Sequence, residues 1–210
     1  TNKWYLIDIA AHQADPDLYV WTCLTENMFA PQPVQNCETK AFHIHDKLVV
    51  YVNNGLSTSI YQSTNGEIWT QLADKINDLP VPCHVRDIVQ HNDTLYYIDG
   101  TSLYKSADLL TWSKTDYAAA NFTPINMLLA YNNLPWCIVQ DKESQQLMLA
   151  TIIEDSIQVA TNIAELKDGF LPAEFPISDF SALAFSGSSE RPRAMIVGGR
   201  TINGDIVNSR

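Results

Sequence analysis

The sequence predicts an all-β fold built from a repeated four-stranded antiparallel unit, and three observations carry that reading. Helical periodicity is nearly absent, and short alternating or continuous apolar runs broken by turn residues fill the chain. A hairpin pattern of apolar run, Asx-rich pair and apolar run recurs along its length. The phrase "STNGEIWTQL" (63–72) returns 43 positions later as "SADLLTWSKT" (106–115).

The elements follow in order. Residues 1–36 read as the end of a preceding unit, or a closing strand, with a linker. Within them "DPDLYVWTCL" (15–24) is a degenerate copy of the turn phrase, placing Asp15, Asp17 and Trp21 where Ser63, Asn65 and Trp69 stand. Unit 37–75 holds "AFHIHDKLVVYV" (41–52), a strand, a tight turn at Asp46-Lys47 and a second strand, followed by a third strand, the turn phrase and a short fourth. Unit 76–118 repeats this around Asn92-Asp93, and unit 119–165 repeats it around Asn132-Asn133, though "ATIIEDSIQVAT" (150–161) there carries no Trp. Unit 166–210 is incomplete, with "SALAFSGSSERPRAMIV" (181–197) as a hairpin of longer turn. Four strands in roughly 40–50 residues make the blade of a β-propeller. The chain stops within the third strand of its last unit. Either residues 15–24 supply a missing strand and close a small ring, or the chain is a fragment of a six- or seven-bladed ring; the reading favours the fragment.

The turn phrase has a physical logic. A Ser oxygen and an Asx two positions on satisfy turn amides, Gly66 permits a positive φ, and the Trp buries a large apolar face. Ser-x-Asp/Asn-x-Gly-x-x-Trp resembles the Asp-box of bacterial-neuraminidase-type repeats, found in sialidases and many other propellers. The copy at Ser63, Asn65, Gly66 and Trp69 matches with Asn for Asp, and that at Ser106, Asp108 and Trp112 has Leu109 in place of Gly. The resemblance implies that this turn joins strands three and four, on the rim away from the ligand-binding mouth, and holds the fold. The segment from "LPAEFPISDF" (171–180) to "MIVGGRTINGDIVNS" (195–209) resembles an uncharacterised family of exported propeller proteins of Gram-negative gut bacteria. Export, to the periplasm or the outer-membrane surface, follows from that resemblance alone. The Gly198-Gly199 pair is also similar to kelch repeats, the alternative subclass of the same fold.

Composition narrows the function classes. The 210 residues, 46% hydrophobic and 10% aromatic, are those of a globular chain with ample material for a core. Thirteen basic against 24 acidic residues give a net charge of -11, which argues against nucleic acid as a partner. No apolar run approaches the ~20 residues of a membrane span. Cys23, Cys37, Cys83 and Cys137 lack zinc-site spacing. Half-buried thiols are the favoured reading over a disulfide between Cys37 and Cys83. His43 and His45 would share one strand face, but His45 aligns with His91 at a hairpin tip, so a turn role is preferred to a metal site. No cofactor is expected. The sequons at Asn92 and Asn121 read as turn chemistry.

A sialidase resemblance would demand an arginine cluster, a Tyr nucleophile paired with Glu and an Asp acid/base. The arginines are Arg86, Arg191, Arg193, Arg200 and Arg210, of which Arg191 and Arg193 fall in a long turn away from the mouth, and no such site maps onto them. Chance carboxylate pairs for glycoside hydrolysis stay open, because the spacing that matters is spatial. In a propeller the segment entering strand one lines the central channel. Aligning the hairpins puts Lys40, Arg86, Asn126 and Ser181 at equivalent entrances with Asp179 nearby, although "LPVPCHVRD" (79–87) and "LPAEFPISD" (171–179) would instead pair Asp87 with Asp179. Polar residues there suit a glycan or a peptide edge, or only solvate the channel. The favoured expectation is a non-catalytic binding propeller for a glycan or protein ligand. A divergent sialidase-like glycoside hydrolase with catalytic residues partly outside this chain is the alternative, and a structural cell-surface protein the third.

Overall fold

The structure, a computed structural model, describes residues 4–7, 21–25, 37–131, 133–160, 171–172, 174–185 and 193–207. The chain divides into two compact units, residues 1–86 and 87–210. Asp15 and Asp17 lie outside the described residues, as do Arg191, Arg210 and the longer hairpin turn of residues 186–192.

In the first unit, β1 (Trp4–Ile7) pairs antiparallel with β2 (Trp21–Thr25). A four-stranded antiparallel sheet then runs in sequence order through β3 (Glu38–Ile44), β4 (Lys47–Asn53), β5 (Thr58–Ser63) and β6 (Thr70–Ala73). The turn between β3 and β4 is His45-Asp46, one residue earlier than the sequence suggests. Ile44 pairs with Lys47, and both turn residues have positive φ, 51° and 57°. A two-residue hairpin loop of this kind follows the right-handed twist of its strands. His45 therefore leaves the strand, and the shared face expected for His43 and His45 does not form. The run from Val49 to Val52 on β4 is buried throughout, as in a strand covered on both faces. Val50 and Val52 pack with Tyr61 and with half-buried Cys37 and Trp69. On β3 and β4, Phe42 meets Tyr51 edge-on at 5.7 Å and 88°.

The second unit contains two further four-stranded sheets in sequence order. One is β7 (Val89–His91), β8 (Thr94–Ile98), β9 (Ser102–Ser106) and β10 (Ser113–Asp116); the other is β11 (Phe122–Tyr131), β12 (Leu134–Asp141), β13 (Leu147–Ile153) and β14 (Ser156–Val159). A two-stranded sheet follows, β15 (Ser178–Phe185) with β16 (Arg193–Arg200). Arg193 thus begins a strand, paired with Phe185, rather than lying in the turn. The β11–β14 sheet has a core on each face. Cys137 and Val139 pack with Tyr96, Ile98, Leu103 and Met127, whereas Ile138 between them packs with Leu128, Leu129 and Leu147, against Ile177, Phe180, Ala182 and Ile196. The two-residue period of a strand sends alternate side chains to opposite layers. Lys105 on β9 also pairs with Asp155 between β13 and β14, and the Ile157 amide donates to the Tyr117 hydroxyl at 2.8 Å.

Asx side chains close the loops between second and third strands in all three four-stranded sheets. Asn54 Oδ1 accepts from the amides of Leu56 and Ser57, Asp99 Oδ1 from those of Thr101 and Ser102, and Asp141 Oδ1 from those of Glu143 and Ser144. The two Ser…Trp turns lie between third and fourth strands. Ser63 Oγ accepts from the Gly66 amide at 2.9 Å, Asn65 Oδ1 accepts from the amides of Glu67 and Ile68 at 3.0 and 3.2 Å, and Trp69 Nε1 donates to the Gly66 carbonyl at 2.9 Å. In the second copy, Ser106 Oγ donates to Asp108 Oδ1 at 3.3 Å, which accepts from the amides of Leu110 and Thr111 at 3.0 and 2.7 Å, and Trp112 is buried. The β13–β14 connection, where the Trp is missing, is a two-residue turn at Glu154-Asp155 with φ 48° and 66°. So short a connection has no room for the phrase.

Candidate functional site

Two polar clusters involve the first strands of sheets, one in each unit: the first at the start of β3, the second joining the middle of β11 to the start of β15. In the first unit, Glu38 and Lys40 are two residues apart on β3 and share a face. The facing segment, residues 83–86, runs into the short 3-10 turn Val85–Asp87. Cys83 and Val85 are sunk in the core at 1% and 0% exposure, and His84 between them and Arg86 after them are turned outward. The Asn53 side-chain amide holds this segment by donating to the Cys83 carbonyl and to Thr58 Oγ1. Glu38 Oε1 accepts from Arg86 Nη2 at 3.0 Å and lies 3.1 Å from His84 Nδ1, and Lys40 Nζ donates to the Arg86 carbonyl at 3.1 Å. Glu38 Oε2 is buried and has no hydrogen-bond partner among the described residues.

In the second unit, Asn126 on β11 is buried and its Nδ2 donates to the Ile177 carbonyl at 3.2 Å. Its Oδ1 is also buried, without a hydrogen-bond partner among the described residues. Two residues past Ile177, Asp179 Oδ2 accepts from Arg200 Nε at 3.2 Å. Ser181 is exposed on β15, opposite Val197.

The sequence-derived residues are therefore placed as follows. Lys40 and Arg86 touch one another; Asn126 reaches the strand segment that carries Asp179, with Ser181 farther along it. Three residues of these clusters were missed: Glu38, His84 and Arg200. For Glu38 a signal was present, because it lies two positions before Lys40 on one strand and so shares its face; His84 shows itself through the alternation of buried Cys83 and Val85 with exposed His84 and Arg86. Arg200 becomes visible only through the β15–β16 register, in which it pairs with Ser178.

Each cluster offers donors and acceptors side by side, which suits hydrogen-bonding ligands rather than apolar ones. Among the described residues no three His, Cys, Asp or Glu side chains converge as metal ligands. No helix among them is long and apolar enough to cross a membrane. The structure holds Cys23, Cys37, Cys83 and Cys137 as thiols; Cys137 is wholly buried, and burial pushes its pKa up to about 12. No curated protein and no solved structure matches the chain. A family model for the DUF6242 beta propeller domain matches residues 15–210, and the chain, an all-β protein of four-stranded antiparallel sheets, belongs to that family.

Proposed function

We propose that this propeller is an exported, non-catalytic binding module that recognises a glycan through the residues at the entrances of its first strands. The supporting observation is the Glu38–His84–Arg86–Lys40 cluster, in which the Glu38 carboxylate holds the imidazole and the guanidinium and the Lys40 ammonium is held by the Arg86 backbone carbonyl. Side chains already held by neighbours lose little freedom when a ligand arrives, and that preorganisation raises affinity. The mixture of donors and acceptors matches hydroxyl groups, which act as both. The Ser63 and Ser106 turns, read as Asp-boxes, serve the fold rather than the ligand, because their polar atoms are occupied by their own turn amides. Export is part of the same proposal and rests on family resemblance.

The test is a glycan-array screen of the wild-type protein beside the Lys40→Ala/Arg86→Ala variant. Saccharide binding that drops at least tenfold in the variant supports this site. Binding that survives both substitutions overturns the assignment to these residues, and selective capture of peptides with no saccharide binding overturns the glycan reading. Hydrolysis of aryl glycosides by the intact protein would overturn the non-catalytic reading.

A further inference from the structure

The β15–β16 pair carries a second arrangement that a merely structural ion pair does not need. Ser178 pairs with Arg200 and Phe180 with Gly198, so Asp179 and Gly199 fall between paired positions. Asp179, Gly198 and Gly199 all have positive φ, at 54°, 69° and 108°. Left-handed backbone at a non-glycine residue persists where its surroundings enforce it. The enforcement is visible here: the Ile177 amide donates to the Arg200 carbonyl at 2.8 Å, and the Val207 amide donates to the Gly199 carbonyl at 2.9 Å. A β-carbon on Gly199 would lie 2.6 Å from that of Pro176, which leaves no room for a side chain.

The result is a fixed guanidinium. Arg200 Nε donates to Asp179 Oδ2, and Nη1 donates at 3.3 Å to the carbonyl of Gly204. That carbonyl belongs to a tight turn in which the Gly204 amide donates to the Thr201 carbonyl and Thr201 Oγ1 accepts from the Asn203 and Asp205 amides. A guanidinium has five N–H donors, so three of the Arg200 donors have no partner among the described residues. The Asp179 and Arg200 side chains are about half exposed, and an ion pair so placed adds little to stability. Ile206, which bridges to Arg200, is exposed and sets an apolar side chain beside these donors, and exposed Ile202 lies in the turn between Arg200 and Ile206.

We propose that Asp179 and Arg200 form a subsite for a neutral saccharide, donating from the guanidinium to one ring hydroxyl and accepting at the carboxylate from its neighbour. This deepens the glycan reading above and rests on it. The Asp179 carboxylate beside the guanidinium and the chain's net charge of -11 both disfavour a second carboxylate, so the subsite selects neutral sugars over acidic ones. Ile202 and Ile206 face the C–H groups of the ring. A shallow site for one sugar unit binds with a Kd on the order of 1 mM.

The experiment is an NMR titration of the intact protein with methyl α-mannopyranoside, methyl β-galactopyranoside and N-acetylneuraminic acid. The amides of Thr201–Ile206 and the Arg200 Nε signal serve as readouts, and the same titrations are run on Asp179→Asn and Arg200→Lys. Asparagine tolerates the left-handed backbone, and lysine keeps the charge but loses the fork, so each variant retains the local fold; an unchanged amide spectrum away from residues 176–207 verifies this. The expected result is that a neutral glycoside shifts these signals and that each variant weakens binding at least tenfold. Neutral-glycoside binding that both variants retain overturns this subsite, and if that binding is lost in Lys40→Ala/Arg86→Ala the broader reading stands. Tighter binding of N-acetylneuraminic acid than of either neutral glycoside also overturns the proposal. No binding of any saccharide overturns both.

Discussion

Leu109 adopts in the second Ser…Trp turn the backbone conformation that Gly66 adopts in the first, with φ of 75° against 79°. A leucine held in the left-handed region costs about 1–2 kcal/mol relative to right-handed backbone. Leu109 is 5% exposed, and full burial of a leucine side chain contributes about 1.5–3 kcal/mol. The two terms are of similar size, so a leucine can stand where the repeat otherwise places glycine.

That balance sets an order among substitutions. Gly66→Ala is expected to lower stability by about 1 kcal/mol, because alanine brings the conformational penalty with almost no burial. Leu109→Ala loses burial and keeps the penalty, for a loss of about 2 kcal/mol. Leu109→Gly loses the same burial but relieves the backbone, so it falls less than Leu109→Ala. Urea unfolding of the three variants gives the order directly; Leu109→Gly less stable than Leu109→Ala would contradict a strained left-handed leucine.

Acid should weaken the second turn more than the first. The Thr111 amide is the main reason that Asp108 stays below the usual carboxylate range; slight burial opposes it, and the Leu110 amide and Ser106 hydroxyl assist. Burial would raise Asp99, but hydrogen bonds from Thr101, the Tyr104 hydroxyl and the Ser102 amide outweigh it and hold that group low as well. An aspartate with a depressed folded pKa contributes stability above its unfolded value of about 3.9, lost as pH falls through the folded value. Asp108→Asn keeps the acceptor oxygen and removes the charge. The wild type should therefore exceed the variant at pH 7 by less than about 1 kcal/mol, since the group is exposed, and the gap should close toward pH 3. Urea midpoints measured across that range decide it, and a gap that widens on acidification would refute the sign.

How much of this was legible in the sequence depends on what each residue answers to. Strands, hairpins and Ser…Trp turns answer to local rules of alternation and turn chemistry, so Asn92 and Asn133 announce their turns from their own neighbourhoods. The His45-Asp46 turn was misplaced by one residue because Asp-Lys and His-Asp are comparably good local choices. What decides between them is the burial of Phe42 and Ile44, a tertiary fact. The polar clusters were half legible. Lys40 and Arg86 emerged from aligning repeats, but the Arg200 contact with Asp179 depends on a strand register displaced by left-handed residues, and no periodicity encodes that.

The glycine pair at the end of β16 separates sterics from backbone preference. A β-carbon on Gly198 meets nothing within 4 Å, whereas on Gly199 it would lie 2.6 Å from the Pro176 β-carbon and 2.9 Å from the Ser178 carbonyl. Gly198→Ala should then cost about 1 kcal/mol for its positive φ alone. Gly199→Ala adds a collision with backbone that cannot swing aside, and a loss of more than about 2 kcal/mol is expected. Denaturant unfolding of the two variants tests the difference, and equal losses would mean that the Pro176 contact yields.

Thiol chemistry tests the layered core without any substitution. Cys137 lies at 0% exposure in one of the two apolar layers that cover the β11–β14 sheet, and burial pushes its pKa up to about 12. At pH 8 its thiolate fraction is then on the order of 10⁻⁴, and only the thiolate reacts with iodoacetamide. Cys23 and Cys37 are half-buried, so they should label first in the native protein, whereas Cys137 should label only as fast as the second unit opens. Peptide mass spectrometry after timed alkylation reads each site separately. Urea below the unfolding midpoint should accelerate Cys137 far more than Cys37. If instead Cys137 labels in native buffer at the Cys37 rate, the β11–β14 sheet is not covered on both faces in solution. The alternation of Cys137, Ile138 and Val139 between two layers would then have to be abandoned.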